Sequence, residues 1–487
     1  MIPFVGYAPD VSPETPGIFL DCDQIIPDTN GFKAQGSALD VGIDALSGQA
    51  RGFAVVKKLD NTNRIFAATR TTIEELSSTT WTDVSAVGGY DLGVDSEGCA
   101  RFAQFGNVTI ASVGHNNYIQ SSTSGDFAAI ALSPKAKIIE TINNFVFAFN
   151  FVDSNHGLGT LENGWWCCAL GDETDWAPSV TTQCVAGSFL QTAGEVVAAK
   201  KLGSYIVAYK EQSAFLGQYV GVPEVWNWSQ LPGQLGALSQ ECVVDVGTAH
   251  YFISRDDFQM FDGSRFTPIG TPVRQTFFAD LEPQYRNLIK SMHDRTNSLI
   301  YWFYPSISGG GTIDKCIVYN YKKDQWGRSD ITIEAACEYT APGVTFEGIG
   351  SLYSTWDDLP TNIGYDSQYW TVESPSPAFI KTDHKINTFG ASPGDSYILT
   401  GHYGDVSTFS TVQKIRPRFV VSPTSSTLDY YHSNENADNM TQNISSTLTN
   451  NVYDLIWSAR WHQVKLNFTG PMTISGFTPE FMADGNE

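Results

Sequence analysis

The chain has 487 residues, with 29 Lys+Arg against 52 Asp+Glu and a formal net charge of −23. An apolar content of 42%, with 13% aromatic and 17% charged residues, excludes a disordered chain and a coiled coil. So acidic a balance leaves little material for a basic face, which excludes a binder built on phosphate neutralisation and disfavours anionic membrane surfaces.

The length gives a prior of about two to three domains. No run of about 18 apolar residues occurs, so no membrane anchor is expected. The N-terminus, MIPFVGYAPDVSPETPG, has neither the basic start nor the apolar run of a secretory signal. Cys22, Cys99, Cys167, Cys168, Cys184, Cys242, Cys316 and Cys337 are scattered, without a CxxC pair or a His at ligand spacing. Reduced, buried thiols in a chain folded in a reducing cytosol are therefore expected, with no metal and no cofactor.

In chain order, residues 1–50 come first, with seven acids against one base and five prolines. This segment is expected to be extended and to wrap along its own chain or reach a neighbour. Residues 51–344 repeat. Short apolar strands recur as IFAAT (65–69), TIASV (109–113), VFAFN (146–150), YIVAYK (205–210), YFISR (251–255) and LIYWFY (299–304). A second series follows each: TTWTDVS (79–85), SGDFAAI (124–130), ETDWAPS (173–179), VWNWSQL (225–231), SRFTPIG (264–270) and DQWGRSD (324–330). The strand starts lie 37 to 59 residues apart, close to the blade length of a β-propeller, about 40–50. Stacked sandwiches would repeat nearer about 100. The spacing predicts an all-β fold with a propeller of about six blades. One helix is expected near 282–294, from Pro283 and the apolar residues Tyr285, Leu288, Ile289 and Met292.

Beyond about residue 345 the period dissolves. SPSPAF (374–379) and GASPGD (390–395) read as linkers. Strands follow at 396–403, 415–421, 454–470 and 472–482, so residues 345–487 form a smaller β-rich, sandwich-like unit. The polar stretch 434–451 reads as a loop that is mobile or meets a partner.

Catalytic signals are weak. Asp256-Asp257 and His293-Asp294 are candidates by spacing, but Asp is a normal turn residue in blades. The diglycine Gly88-Gly89-Tyr90 occurs once, whereas a kelch array repeats it; no sialidase Asp box is present. The Trp-Asp dipeptide Trp356-Asp357 lies outside the repeats, against a WD40 array. No HExxH or GxSxG motif occurs, and ISGGGT (307–312) lacks the Lys of a P-loop and reads as a flexible hairpin tip. Asn-x-Ser/Thr matches at Asn107, Asn227, Asn439, Asn443 and Asn467 are expected by chance. Trp165-Trp166-Cys167-Cys168 reads as a buried aromatic–thiol cluster.

Four segments together carry a resemblance: WWCCALGDETDWAPS (165–179), IVAYKEQSAFLGQYVGVPEVWNWSQLPGQLGALS (206–239), VVDVGTAHYFISRDDFQMFDGSRFTPIGTPVRQTFFADL (243–281) and WHQVKLNFTGPMTISGFTPEFMADG (461–485). They resemble the tail nozzle (hub, or packaged-DNA stabilisation) proteins of short-tailed bacteriophages, most firmly over 165–281. The resemblance implies a structural, non-enzymatic virion protein assembled in the host cytoplasm. It implies a homo-hexameric tube below the portal and the head-to-tail adaptor ring, carrying tail fibres or spikes and a distal plug or needle. Double-stranded DNA would be retained and then pass through the lumen without sequence-specific binding. The expected contact regions are 1–50 and 345–487. Ser308, Gly309, Gly310, Gly311 and Thr312 are expected to supply any lumen or gate loop. The alternatives are a propeller glycoside hydrolase, which needs paired carboxylates at the channel mouth, and a receptor-binding tail spike.

Overall fold

The computed structural model describes residues 1–60, 62–93, 98–339, 355, 376–435 and 439–485. Six separate four-stranded sheets are present, and the chain is a β-propeller as its period predicts. Numbered along the chain, blade one spans 52–83, blade two 101–129, blade three 135–188, blade four 196–230 and blade five 244–268. Blade six is the first four strands (290–328) of a larger ten-stranded sheet, so it adds a seventh position to the ring. Blade seven combines Ala335–Tyr339, Ser376–Ile380 and Ile386–Ala391 with Ser37–Asp40 from the other end of the chain. The inner strands neighbour one another in order, and blade seven closes the ring by packing against blades six and one.

The first apolar series is the second strand of blades one to six. These strands lie in mid-blade with a neighbouring blade on each face, so they read as continuous apolar runs rather than alternating ones. Phe145–Val152, for example, is buried at every position but the last. Five members of the second series overlap the outermost strands, whose aromatic rings fill the space between blades. Phe147 of blade three meets Trp226 of blade four edge to face at 4.8 Å between centroids. The exception is ETDWAPS, which forms a loop that buries Trp176 against Trp166, 5.8 Å away. With Cys168 and Cys184 these rings form an aromatic–thiol cluster, but the expected group of four divides between two faces of the blade, since Trp165 and Cys167 join the cluster facing blade four. All eight cysteines are free thiols, six of them buried.

Three expectations are corrected. Residues 282–294 are not a helix: Pro283–Leu288 is a 3-10 segment and Lys290–Asp294 is the inner strand of blade six, paired with Leu299–Pro305. Among the described residues the α-helix lies earlier, at Arg274–Asp280. The propeller does not end at 344, because SPSPAF enters the strand Ser376–Ile380 of blade seven. The polar stretch 434–451 is not a simple loop, since Thr441–Thr447 is a strand paired with Ser425–Ser433. Trp356-Asp357 lies outside the described residues.

Residues 395–485 and the first 34 residues form the second unit, two sheets packed face to face. One is the outer half of the ten-stranded sheet. The other is seven-stranded and includes Ile18–Asp23, Asp395–Thr400, Trp461–Thr469 and Ser425–Ser433. Phe19, Phe32, Leu428, Tyr453, Leu466 and Ile474 lie in the core between them. The N-terminal segment thus wraps along its own chain. The hairpin of Ile25–Asp28 and Gly31–Ala34 bridges blade six to the last strand, Thr473–Gly485.

Candidate functional site

The seven inner strands converge on an axial channel of about 400 Å³. Side chains alternate along a strand, so each inner strand sends some residues toward the axis and others between blades. The charged groups delivered to the channel are Arg101, Glu140, Lys200, Glu241, Asp245, Lys290, Arg295 and Glu338, four cations against four carboxylates. The excess acid of the chain therefore lies off the axis.

These groups neutralise one another. Arg101 Nε donates to Glu241 Oε1 at 2.9 Å and its Nη1 to the Lys137 carbonyl at 2.6 Å. Burial pushes the Glu241 carboxyl up, but Lys290, Arg101 and Lys200 outweigh it, and the net shift is downward. Lys290, itself buried, places Nζ 3.2 Å from Cys99 Sγ. Burial works against its charge, yet Cys99 and Glu241 hold its pKa above the ordinary value. Glu338 accepts from Arg295 at 2.9 Å and lies 3.5 Å from His293 Nδ1. Glu140 differs, since burial raises its carboxyl against the pull of Lys200.

Of the sequence candidates, only His293 lines this channel. Asp294 is buried and caps a turn, accepting from the Asn297 N–H at 3.0 Å and its side-chain amide at 2.6 Å. Asp257 is buried and accepts from the Phe258 N–H at 2.8 Å and from Arg274 at 3.3 Å, while Asp256 is exposed. The two aspartates and His293-Asp294 therefore do not form one site. Sequence reading missed Arg101, Glu140, Glu241 and Lys290. The available signal was a charge inside each strand that precedes a continuous apolar run, as in KAKIIETI and KSMHD.

Ser308–Thr312 does form the tip of a hairpin, between Leu299–Pro305 and Ile313–Asn320. It is a tied turn: Gly309 N–H donates to Ser306 O at 3.0 Å, and Asp314 accepts from Ser306 N–H at 2.8 Å. Gly311 has φ +92° and sits against the Tyr285 ring, where a Cβ would come within 2.9 Å. With Arg51, Cys99 and Lys290 it lines a second cavity of about 280 Å³, next to the axial channel. Among the described residues no cluster of three or more His, Cys, Asp or Glu could hold a metal ion, and no helix is long and apolar enough to cross a membrane.

No family model and no curated protein matches the chain. Many solved structures are similar to it, among them these three. One is a catalytically inactive virginiamycin B lyase from Staphylococcus aureus with quinupristin, at 10% identity and TM-score 0.42, covering 72% of this chain and 98% of that one. Another is the WD40 domain of Neurospora crassa Pan2, at 8% identity and TM-score 0.38, covering 73% and 94%. The third is apo AztD from Citrobacter koseri, at 11% and 0.32, covering 64% and 94%. The ring of small sheets makes this chain a β-propeller protein with a β-sandwich unit built onto one blade. At these identities the likeness does not reach the chemistry of the channel.

Proposed function

We propose that this chain is a structural subunit of a short-tailed phage tail nozzle. In this reading six copies form a ring below the portal and adaptor, retain the packaged genome and conduct it at ejection. The observation that carries the reading is where the charge sits. The axial channel is balanced, while the chain as a whole carries −23, so the acid lies on the outer surfaces. The channel volume of about 400 Å³ is that of on the order of ten waters. It cannot pass a duplex whose major groove alone is about 12 Å wide. A DNA path must therefore run along the outside of the subunit, between copies of a ring. Acidic walls there repel the phosphates and keep the polymer moving.

The sequence resemblance supports the same reading. Its segments fall in blades three to five and in the closing strands of the sandwich. Adaptor, fibre or spike, and plug or needle contacts, and the place in the virion, belong to this proposal. Glu241, paired with Arg101 and held down by that charge and by Lys290, cannot serve a glycoside hydrolase as its proton donor.

Quantitative peptide mass spectrometry on DNA-filled particles tests the reading by the ratio of this chain to the portal subunit. About half a copy per portal subunit is expected, a six-fold ring on a twelve-fold portal. A multiple of three per appendage would move the chain to a spike. Absence from particles would overturn the structural role and favour an activity screen on bacterial polysaccharides.

A further inference from the structure

Among the described residues the sandwich unit has two long strands with an unpaired edge, each at the end of its sheet opposite the propeller. Thr441–Thr447 ends the seven-stranded sheet, and Tyr453–Ala459 ends the ten-stranded one. They lie beside each other, joined through the turn at 449–452. The opposite end of the seven-stranded sheet is the two-residue strand Gly6–Tyr7, packed against blade six, and the opposite end of the other sheet is an inner strand of the ring.

Exposed edges are ordinarily blunted by charge, Pro or a covering element. This one has no such guard: the 15 residues from Asn439 to Tyr453 contain no charged residue and no Pro. Nearly every residue of Thr441–Thr447 is exposed, and Ile444, Ile456 and Trp457 stand out beside it at 38%, 79% and 36% exposure. The ladder also fixes which amides are free to pair. Leu448 N–H donates to Ser426 O at 3.0 Å, and Ser446 and Ile444 follow it in register opposite Leu428 and Tyr430. By the alternation of an antiparallel pair, the N–H groups of Ser445 and Thr447 then point outward.

We propose that Thr441–Thr447 is a self-association edge, which adds a strand from a second copy of this chain. The occupant follows from charge. Two copies at −23 each repel over most of their surfaces, and an uncharged strand edge is where a like-charged copy can approach most closely. Backbone pairing there supplies affinity without opposite charges. A polyanion finds no cation on this segment, and the carboxylates beside it are engaged within the chain, Asp429 by Ser445 and Asn467 and Asp454 by Lys414 at 3.8 Å. Pairing of this edge with itself is two-fold and so stands apart from the six-fold ring proposed above, whose neighbours meet through two different patches.

The test is sedimentation velocity on the purified full chain up to its solubility limit, with Ser445→Pro and Ser445→Ala alongside. Pro removes the outward N–H at a position where an edge strand tolerates it. Ala keeps that N–H and loses only the bond from Ser445 Oγ to Asp429, 2.6 Å. Association is expected in the wild type and in Ser445→Ala, and its loss in Ser445→Pro. Hydrogen exchange on the wild type adds a readout that needs no variant: Ser445 and Thr447 amides should become protected as concentration rises. A wild type monomeric throughout, association that survives Ser445→Pro in a folded variant, or amides that stay unprotected would overturn the inference. The two readings fail separately. A chain at ring stoichiometry in particles but monomeric in solution loses the edge alone, whereas one absent from particles that still pairs through Ser445 loses the nozzle alone.

Discussion

His462 sits inside the sandwich with both ring nitrogens engaged, Nδ1 at 2.6 Å from the Tyr430 hydroxyl and Nε2 at 2.8 Å from Ser410 Oγ. Burial, and then the neighbouring His432, push its pKa down to about 4. An unfolded chain takes up a proton at this residue below about 6.5, whereas the folded one does so only near 4. Stability from this group is therefore present above about 6.5 and is lost as pH falls from there toward 4, by on the order of 3 kcal/mol in all. His462→Gln keeps one donor and one acceptor without titrating. The melting temperature of this variant should fall less than that of the wild type between pH 7 and pH 4.5, as read by circular dichroism. In the channel, Lys290→Met removes a buried ammonium whose charge holds the Glu241 carboxyl down, and should destabilise the chain by about 1–3 kcal/mol, as when a buried polar group loses a favourable neighbour. It should also raise the Glu241 carboxyl, whose present downward shift depends first on Lys290 among the cations. Chemical denaturation of the variant reads the first effect and a carboxyl-resolved NMR titration the second.

At the scale of elements, closure of the ring depends on a short strand from the far end of the chain. Ser37–Asp40 pairs with Ile386–Ala391, and Gly36 lets the backbone enter, since a Cβ there would come within 2.4 Å of the Phe389 carbonyl oxygen. Gly36→Ala should force that strand outward. A loss of about 1–3 kcal/mol is expected, with faster proteolysis around residues 37–40 than in the wild type. This blade was the one hidden from sequence reading, and the reason is physical. Its four strands come from three stretches of chain separated in sequence, so no period connects them. The other six blades were legible because Phe66, Ile110, Phe147, Val207, Phe252 and Trp302 lie on mid-blade strands covered on both faces. The inner strands were less legible, because Glu140 or Lys290 at the axis breaks the apolar run that marks a buried strand. Residues 290–294 misled for another reason. Their helical spacing is real, but pairing of Lys290–Asp294 with Leu299–Pro305 overrides it. The channel charges as a set were not legible, because seven strands distant in sequence bring them together. The candidate loop at 308–312 was legible as a hairpin because its glycines join two strong apolar runs, LIYWFY and CIVYNY.

For the molecule as a whole, the question is whether propeller and sandwich behave as one body. A continuous sheet runs from the axis through blade six and the N-terminal hairpin into the sandwich. The joint is narrow in backbone terms, with Arg328 opposite Ile25 on one side and Thr473 and Ile474 opposite Lys33 and Phe32 on the other. Side chains reinforce it. Arg328 of blade six donates to Asp21 at 2.8 Å and to Asp330 at 3.0 Å, and Lys315 reaches Asp330 at 2.7 Å. Tyr397 of the sandwich donates to the other oxygen of Asp21 at 2.7 Å, so one carboxylate ties both units to the N-terminal segment. One hydrophobic core also spans the joint: Phe258 and Trp302 of the propeller share it with Phe32 and Ile474 of the sandwich. Multi-domain chains ordinarily unfold in steps, but here the segment 1–34 cannot leave one unit without opening the other. A single calorimetric transition is therefore expected, coincident with the loss of far-UV dichroism and of the native tryptophan signal. Arg328→Ala removes the cation from a mostly buried pair and should lower that transition, with a loss on the order of 3 kcal/mol, without splitting it. Two resolved transitions in the wild type would mean that the N-terminal hairpin does not transmit stability, and that the sandwich is free to rearrange while the propeller stays folded.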